Sequence, residues 1–211
     1  MIRHPRCLTK VRLAGLRALR KDGQIQKVSL GMNSHRQHNA PHRDAWTPEV
    51  ITDFIEAAPP GTFDSALLAY VSHRQMCTRP CSAADRARPV QGWNLISQDA
   101  MEVMAVCAEH GVAVHLAGIF GGGQYPLFAP KPEHAEEVKQ CEELAAKHGV
   151  SLAAVAITFG SLPTAVDKVI MGVRSQEELE MNIEAMAEAV PAELFREAQA
   201  QGLLRSELQL P

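Results

Sequence analysis

An α/β fold built on a parallel sheet is what this 211-residue sequence predicts, and three observations carry that prediction. Short apolar runs with strand character alternate with amphipathic helical stretches four times over. Each helical stretch is long enough to return the chain across a sheet. Glycines and prolines punctuate the junctions. A helix between consecutive strands forces them parallel, because the chain must cross back before the next strand begins.

The first helix is predicted over Thr9 to Lys21, where Leu8, Val11, Leu13, Leu16 and Leu19 supply an apolar stripe and Asp22-Gly23 stops it. Ile25 to Gly31 reads as a short strand. A helix follows from Thr47 with Pro48 at its first position, Val50, Ile51, Phe54 and Ile55 on its buried side and Pro59-Pro60-Gly61 at its end. The second unit is a strand over Ser65 to Val71 and a helix over Gln98 to His110. The third is the strand Val112 to Ile119, the loop Gly121-Gly122-Gly123 and a helix from Pro132 to His148, closed by Gly149. Ser151 then caps the apolar helix LAAVAITFG, which Pro163 interrupts. The fourth unit is Lys168 to Gly172, the turn Val173-Arg174-Ser175 and a helix to Ala189. One α/β domain over residues 1–211 is expected. Within it residues 72–92, SHRQMCTRPCSAADRARPVQG, form an Arg-rich surface insertion.

Composition narrows the function classes. With 46% hydrophobic and 21% charged residues the chain is of ordinary globular make-up, not fibrous or wholly disordered. No apolar run approaches the ~18 residues of a membrane span. Five cysteines, Cys7, Cys77, Cys81, Cys107 and Cys141, are an odd and scattered set, which predicts reduced thiols and a cytoplasmic location. Ten Lys/Arg face one acid, Asp22, between Met1 and Arg43, so this stretch is +9 and the remainder −12 for a net −3. Nucleic-acid binding would interleave such charges with aromatics, and none occurs before Trp46; the expected reading is a solvated basic helix face, with neither nucleic acid nor membrane as partner.

Two turns carry ligand-binding chemistry. In GVRSQEELEMN, Ser175 stands at an N-cap and Glu178 three residues on completes a capping box. Arg174 beside the free N–H groups of a helix start makes an anion seat suited to phosphate, and Asn182 lies seven residues after Ser175, within reach of a base or ribose. The loop AGIFGGG after the third strand lets a ligand approach the backbone closely. His35, His38 and His42 with Asp44 form a polar cluster whose spacing matches no zinc pattern, so no metal site is predicted. Cys77 and Cys81 lack the second pair that zinc or redox work needs.

KDGQIQKVSLGMN, CAEHGVAVHLAGIFGGG and AAKHGVSLAAVAITFGSLPTAVDKVIMGVRSQEELEMNIEAM together resemble the second half of an aldo-keto reductase, from Thr9 to Val190, with VIMGVRSQEELEMNI the most specific piece. The branch most resembled is that of sugar 1-dehydrogenases acting on fucose, galactose or arabinose and of pyridoxal 4-dehydrogenase. The resemblance implies a TIM-type (β/α)8 barrel of which this chain covers about the last four βα units, since an eight-stranded barrel needs ~250 residues. It implies an oxidoreductase that moves a hydride between a nicotinamide cofactor and a sugar or aldehyde, with this chain as the cofactor-binding half.

By the same resemblance Asn33 holds the nicotinamide carboxamide and Phe120 lines the pyrophosphate path. Arg174 and Ser175 meet the adenosine ribose or its phosphate, and Asn182 touches adenine. Glu178, where NADP-preferring relatives often carry arginine, predicts NAD, with NADP as the other candidate. The family's catalytic Tyr and Lys are not identifiable: Tyr70 and Tyr125 fall in other segments, and His4 stands too near GMN to match the family's histidine. An open half-barrel exposes two sheet edges. The expectation is therefore a fragment of a longer enzyme, a chain that pairs with its own copy, or a degenerate relative. The alternative to an enzyme is a non-catalytic nucleotide-binding or interaction module with a basic N-terminal region.

Overall fold

The computed structural model describes residues 10–32, 48–69, 92–121, 127–130 and 132–210. Its order is α1 (Lys10–Lys21), β1 (Ser29–Met32), α2 (Pro48–Glu56), β2 (Ser65–Ala69), α3 (Met101–Glu109) and β3 (Ala113–Ala117). A 3₁₀ turn (Pro132–His134) leads into α4 (Ala135–Lys147), then α5 (Leu152–Ser161), β4 (Val166–Ile170), α6 (Gln176–Ala187) and α7 (Ala192–Ala200). The four strands form one sheet in the order β1-β2-β3-β4, parallel at every pairing, as the four βα units require.

Three strand boundaries move, for reasons that lie in the partners. Strand β1 starts at Ser29 instead of Ile25, because Ser29 is the first residue in register with β2, opposite Ser65. Before it, the Val28 N–H donates to Asp64 Oδ2 at 2.7 Å, and Asp64 also pairs with Arg20, so 25–28 serve as a connection tied to the next turn. Strand β4 runs over Val166–Ile170, two residues before the expected Lys168–Gly172; Ile170 faces Ala117, where β3 ends. A bulge between Val114 and His115 places Asp167 as the extra residue, with its Oδ2 3.4 Å from His115 Nε2. Strand β3 itself is shorter than Val112 to Ile119. Helix α3 starts at Met101, not Gln98, because the Asn94 Oδ1 accepts from the Ile96 and Ser97 N–H groups and holds a turn there.

The register assigns the two faces of the sheet. Leu30, Ala66, Leu68, Val114 and Leu116 are buried, and Val169 lies level with Leu116 and packs against them. Helices cover this face: Gly160 of α5 sits against Ile119, Leu116 and Val169. The opposite face carries Gly31, Leu67 and His115, half-buried, with Lys168 and Ile170 exposed. Ser151 caps α5 as expected, accepting from the Ala154 N–H at 3.1 Å. Trp93, which the sequence reading passed over, stacks on Phe159 with centroids 4.9 Å apart and 6° between planes, and its Nε1–H donates to the Phe159 carbonyl. Helix α7 was not anticipated either; Leu194, Phe195 and Ala198 anchor it in the core.

The insertion at 72–91, both tyrosines, Asn33, the cluster of His35, His38, His42 and Asp44, and the Cys77–Cys81 pair lie outside the described residues, as do Gly122 and Gly123. Among the described residues no group of His, Cys, Asp and Glu is arranged to hold a metal, and no single helix is long and apolar enough to cross a membrane.

Candidate functional site

The loops after β3 and β4 lie side by side because their strands are hydrogen-bonded neighbours in the same direction. After β3 the chain turns at Gly118 and Gly121, whose φ of 80° and 86° lie where a side chain would be strained. The turn closes through the Gly121 N–H to the Gly118 carbonyl, and the Leu127 N–H donates to the Phe120 carbonyl. This leaves the half-buried Phe120 ring in a tilted contact with exposed Phe128, centroids 5.5 Å apart. An aromatic pair therefore stands at the carboxyl end of β3.

After β4, Met171 to Arg174 lead into α6. Ser175 is its N-cap in extended conformation, and its Oγ accepts from the Glu178 N–H at 3.2 Å, the capping contact the spacing predicts. The reciprocal half differs from expectation. Glu178 reaches back one residue further than in a standard capping box, and its Oε2 accepts from the backbone N–H of Arg174 at 2.8 Å. Its Oε1 accepts from Arg174 Nε and Nη2 at 3.1 and 2.7 Å. Arg174 and Glu178 are thus a two-pronged pair at the start of α6.

Electrostatics follow from this geometry. The Arg174 side chain holds Glu178 below the usual carboxylate range, with its backbone N–H adding to the effect, and Glu178 in turn raises Arg174. Glu177 is also lowered, by its own backbone N–H and then by the Ser175 hydroxyl. Carboxylates here sit at the positive end of a helix, where they are stabilised. Arg174 keeps donors to spare, since a guanidinium has five N–H groups and its side chain is 90% exposed. Asn182 is half-buried two turns along the same helix. Of the sequence-predicted residues, four therefore gather on the β4 turn and α6, with Phe120 on the adjoining loop. What sequence reasoning missed is the grip of Glu178 on Arg174, although their i, i+4 spacing was a readable signal.

Away from these residues a concavity of about 390 Å³ lies among Trp93, Met101, Met104, Phe159, Leu162 and Leu208. Its wall from Leu162 to Ala165 precedes β4, so it belongs to the amino-terminal end of the sheet. Sites in parallel α/β folds form at the other end, outside the carboxyl ends of the strands.

Residues 89–201 match the model of the aldo/keto reductase family, which is more than half of the sequence. The chain belongs to the aldo/keto reductase family. Within it, 113 residues are 26% identical to pyridoxal 4-dehydrogenase of Microbacterium luteolum, over 49% of this chain and 33% of that protein. Aldo-keto reductase AKR11C1 from Bacillus halodurans, solved in its holo form, superposes with a TM-score of 0.58 and 16% identity over 93% of this chain and 56% of that one. The chain thus spans about a third to a half of the length of these relatives. Its four-stranded parallel sheet is a partial TIM-type barrel, as the sequence predicted.

Proposed function

We propose that this chain is the nicotinamide-dinucleotide-binding portion of an oxidoreductase that works on a sugar or a small aldehyde. One observation carries the reading: in an aldo/keto reductase chain, Arg174 stands at an exposed helix start beyond the carboxyl end of β4, next to the Phe120 loop. The donor set suits an adenosine end. Arg174 has unused N–H groups for a pyrophosphate or ribose oxygen, the Glu178 carboxylate accepts from a ribose hydroxyl, and Asn182 offers an amide to the base. Phe120 gives the chain between them an apolar wall. When bound, the cofactor supplies hydride transfer; the protein residues named here bind and orient it.

The charge balance favours NAD. Glu177 and Glu178 outnumber Arg174, and Arg174 already holds Glu178, so a 2′-phosphate meets net repulsion at close range. Buried, unpaired Cys107 and Cys141 fit a reducing, cytoplasmic setting.

Titration calorimetry of the 211-residue chain with NAD and NADP tests the reading. NAD is expected to bind more tightly, Arg174→Ala to weaken it by about tenfold or more, in line with loss of a charge-assisted bond, and Glu178→Gln to move the preference toward NADP by about fivefold. An Arg174→Ala chain with native circular dichroism and unchanged affinity overturns it. Binding without turnover of any sugar or aldehyde would instead favour a non-catalytic nucleotide-binding module.

A further inference from the structure

Helix α3 serves two surfaces. Val103 and Cys107 are buried in the core, whereas Met101, Met104, Ala105 and Ala108, at i, i+3, i+4 and i+7, line the concavity of about 390 Å³ at the amino-terminal end of the sheet. Buried Trp93, Met104 and Phe159 make its floor, with Leu162 and Leu208 beside them. Short residues, Ala105, Ala108 and Ala165, stand where longer ones would fill the space. Helix α3 packs on β3 and α5 on β4, and β3 is paired on both sides, so the concavity lies between neighbours that the described chain itself supplies.

The segment after α7 closes one side and brings the charge. The Arg205 N–H donates to Gln98 Oε1 at 2.8 Å, and Gln199 Nε2 donates to the Arg205 and Leu208 carbonyls at 2.8 and 3.1 Å. The Leu208 N–H donates to the Arg205 carbonyl. These bonds fix the backbone on either side of Glu207, which borders the concavity. The Arg205 guanidinium is paired with Asp99. Among the described residues Glu207 has neither a hydrogen bond nor an ion pair, and no Lys, Arg or His lines the concavity. A positioned carboxylate without a partner thus borders a floor of aromatic rings and methionine.

We infer that this concavity binds an arylalkylamine, its ring against Met101, Met104 and the Trp93–Phe159 stack and its ammonium paired with Glu207. Apolar walls with one polar group that fixes orientation are the ordinary make-up of a small-molecule site, and the volume is at the lower end of the ~300–1,000 Å³ range, which suits one ring with a short arm. Methionine sulfur packs favourably against aromatic rings, which selects an aromatic body. The lone carboxylate selects a cation at the end of the arm and repels an anion. This inference does not depend on what binds at Arg174, which stands beyond the other end of the strands.

A chemical-shift titration of the 211-residue chain near neutral pH tests it, following the Trp93 indole N–H with 2-phenylethylamine, 2-phenylethanol and 3-phenylpropionate. The amine is expected to bind with a dissociation constant of about 1 mM or tighter. The alcohol is expected to bind about fivefold more weakly, and the acid about fivefold more weakly again. Glu207→Gln is expected to bring the amine to the level of the alcohol and to leave the alcohol within about twofold, which a disturbed fold would not do. Ala108→Leu, at an exposed position of α3, fills the space and is expected to weaken amine and alcohol alike by about tenfold or more. Equal binding of all probes, an amine affinity unchanged by Glu207→Gln, binding indifferent to Ala108→Leu, or a Trp93 signal that does not move at about 10 mM amine each overturns the inference.

Discussion

Replacing Gly160 with alanine sets two effects of similar size against each other. Gly160 lies within α5, and alanine in a helix interior is favoured over glycine by about 1 kcal/mol. Against this, a Cβ at Gly160 would meet Ile119 Cγ2 at 3.0 Å, Leu116 Cδ2 at 3.5 Å and Val169 Cγ2 at 3.6 Å. The last two are ordinary contacts; the first is well inside the ~3.5–4.0 Å optimum for carbon pairs. Ile119 and Leu116 are each 1% exposed, and a β-branched side chain is stiff at χ1, so the crowding has nowhere to relax. Overpacking a tight core by one methyl costs about 1–3 kcal/mol, so the clash wins and Gly160→Ala is expected to lose roughly 1 kcal/mol net.

Urea unfolding followed by circular dichroism measures this, with a fall in midpoint and an unchanged slope. A second background isolates the cause. Ile119→Leu moves the branch from Cβ to Cγ and removes the offending methyl, so Gly160→Ala should cost about 1 kcal/mol less there than in the parent chain. If Gly160→Ala stabilises by its full helix propensity, or costs the same in both backgrounds, helix-to-sheet crowding is not what requires glycine. Because Ile119 directly precedes Phe120, the variant also reports whether the packing beneath the site positions it.

Ser151→Ala removes the N-cap of α5 and the hydroxyl that donates to Glu188 Oε1 at 2.6 Å, and is expected to lower unfolding free energy by about 1 kcal/mol in the same urea assay. Burial pushes both Cys107 and Cys141 up from 9.0 to about 11, Glu137 and Glu142 adding to the effect on Cys141. A thiol whose folded value is raised adds stability that is complete below 9.0 and lost as pH climbs through about 11, so stability should fall over that window. Cys107→Ala/Cys141→Ala should flatten this fall. Iodoacetamide should leave the two native thiols unmodified at pH 8 and alkylate both in urea.

The fold was legible because each of its levels agreed. Helices that separate strands force parallel neighbours, and the stripes of α1 and α2 marked their buried sides through residues such as Leu13, Ile51 and Phe54. Strand ends were misread where only the neighbour decides them: nothing in IQKVSLG says that Ser65 begins opposite Ser29, and nothing in KVIMG says that Val166 and Asp167 are already paired around a bulge. Trp93 was overlooked because it follows a breaker-rich stretch with no periodicity, and its role is set by Phe159, 66 residues away. At the site, the cap at Ser175 and the exposed cation at Arg174 followed from local rules. The closed pair with Glu178 depends on where two long side chains come to rest, which spacing permits but does not decide.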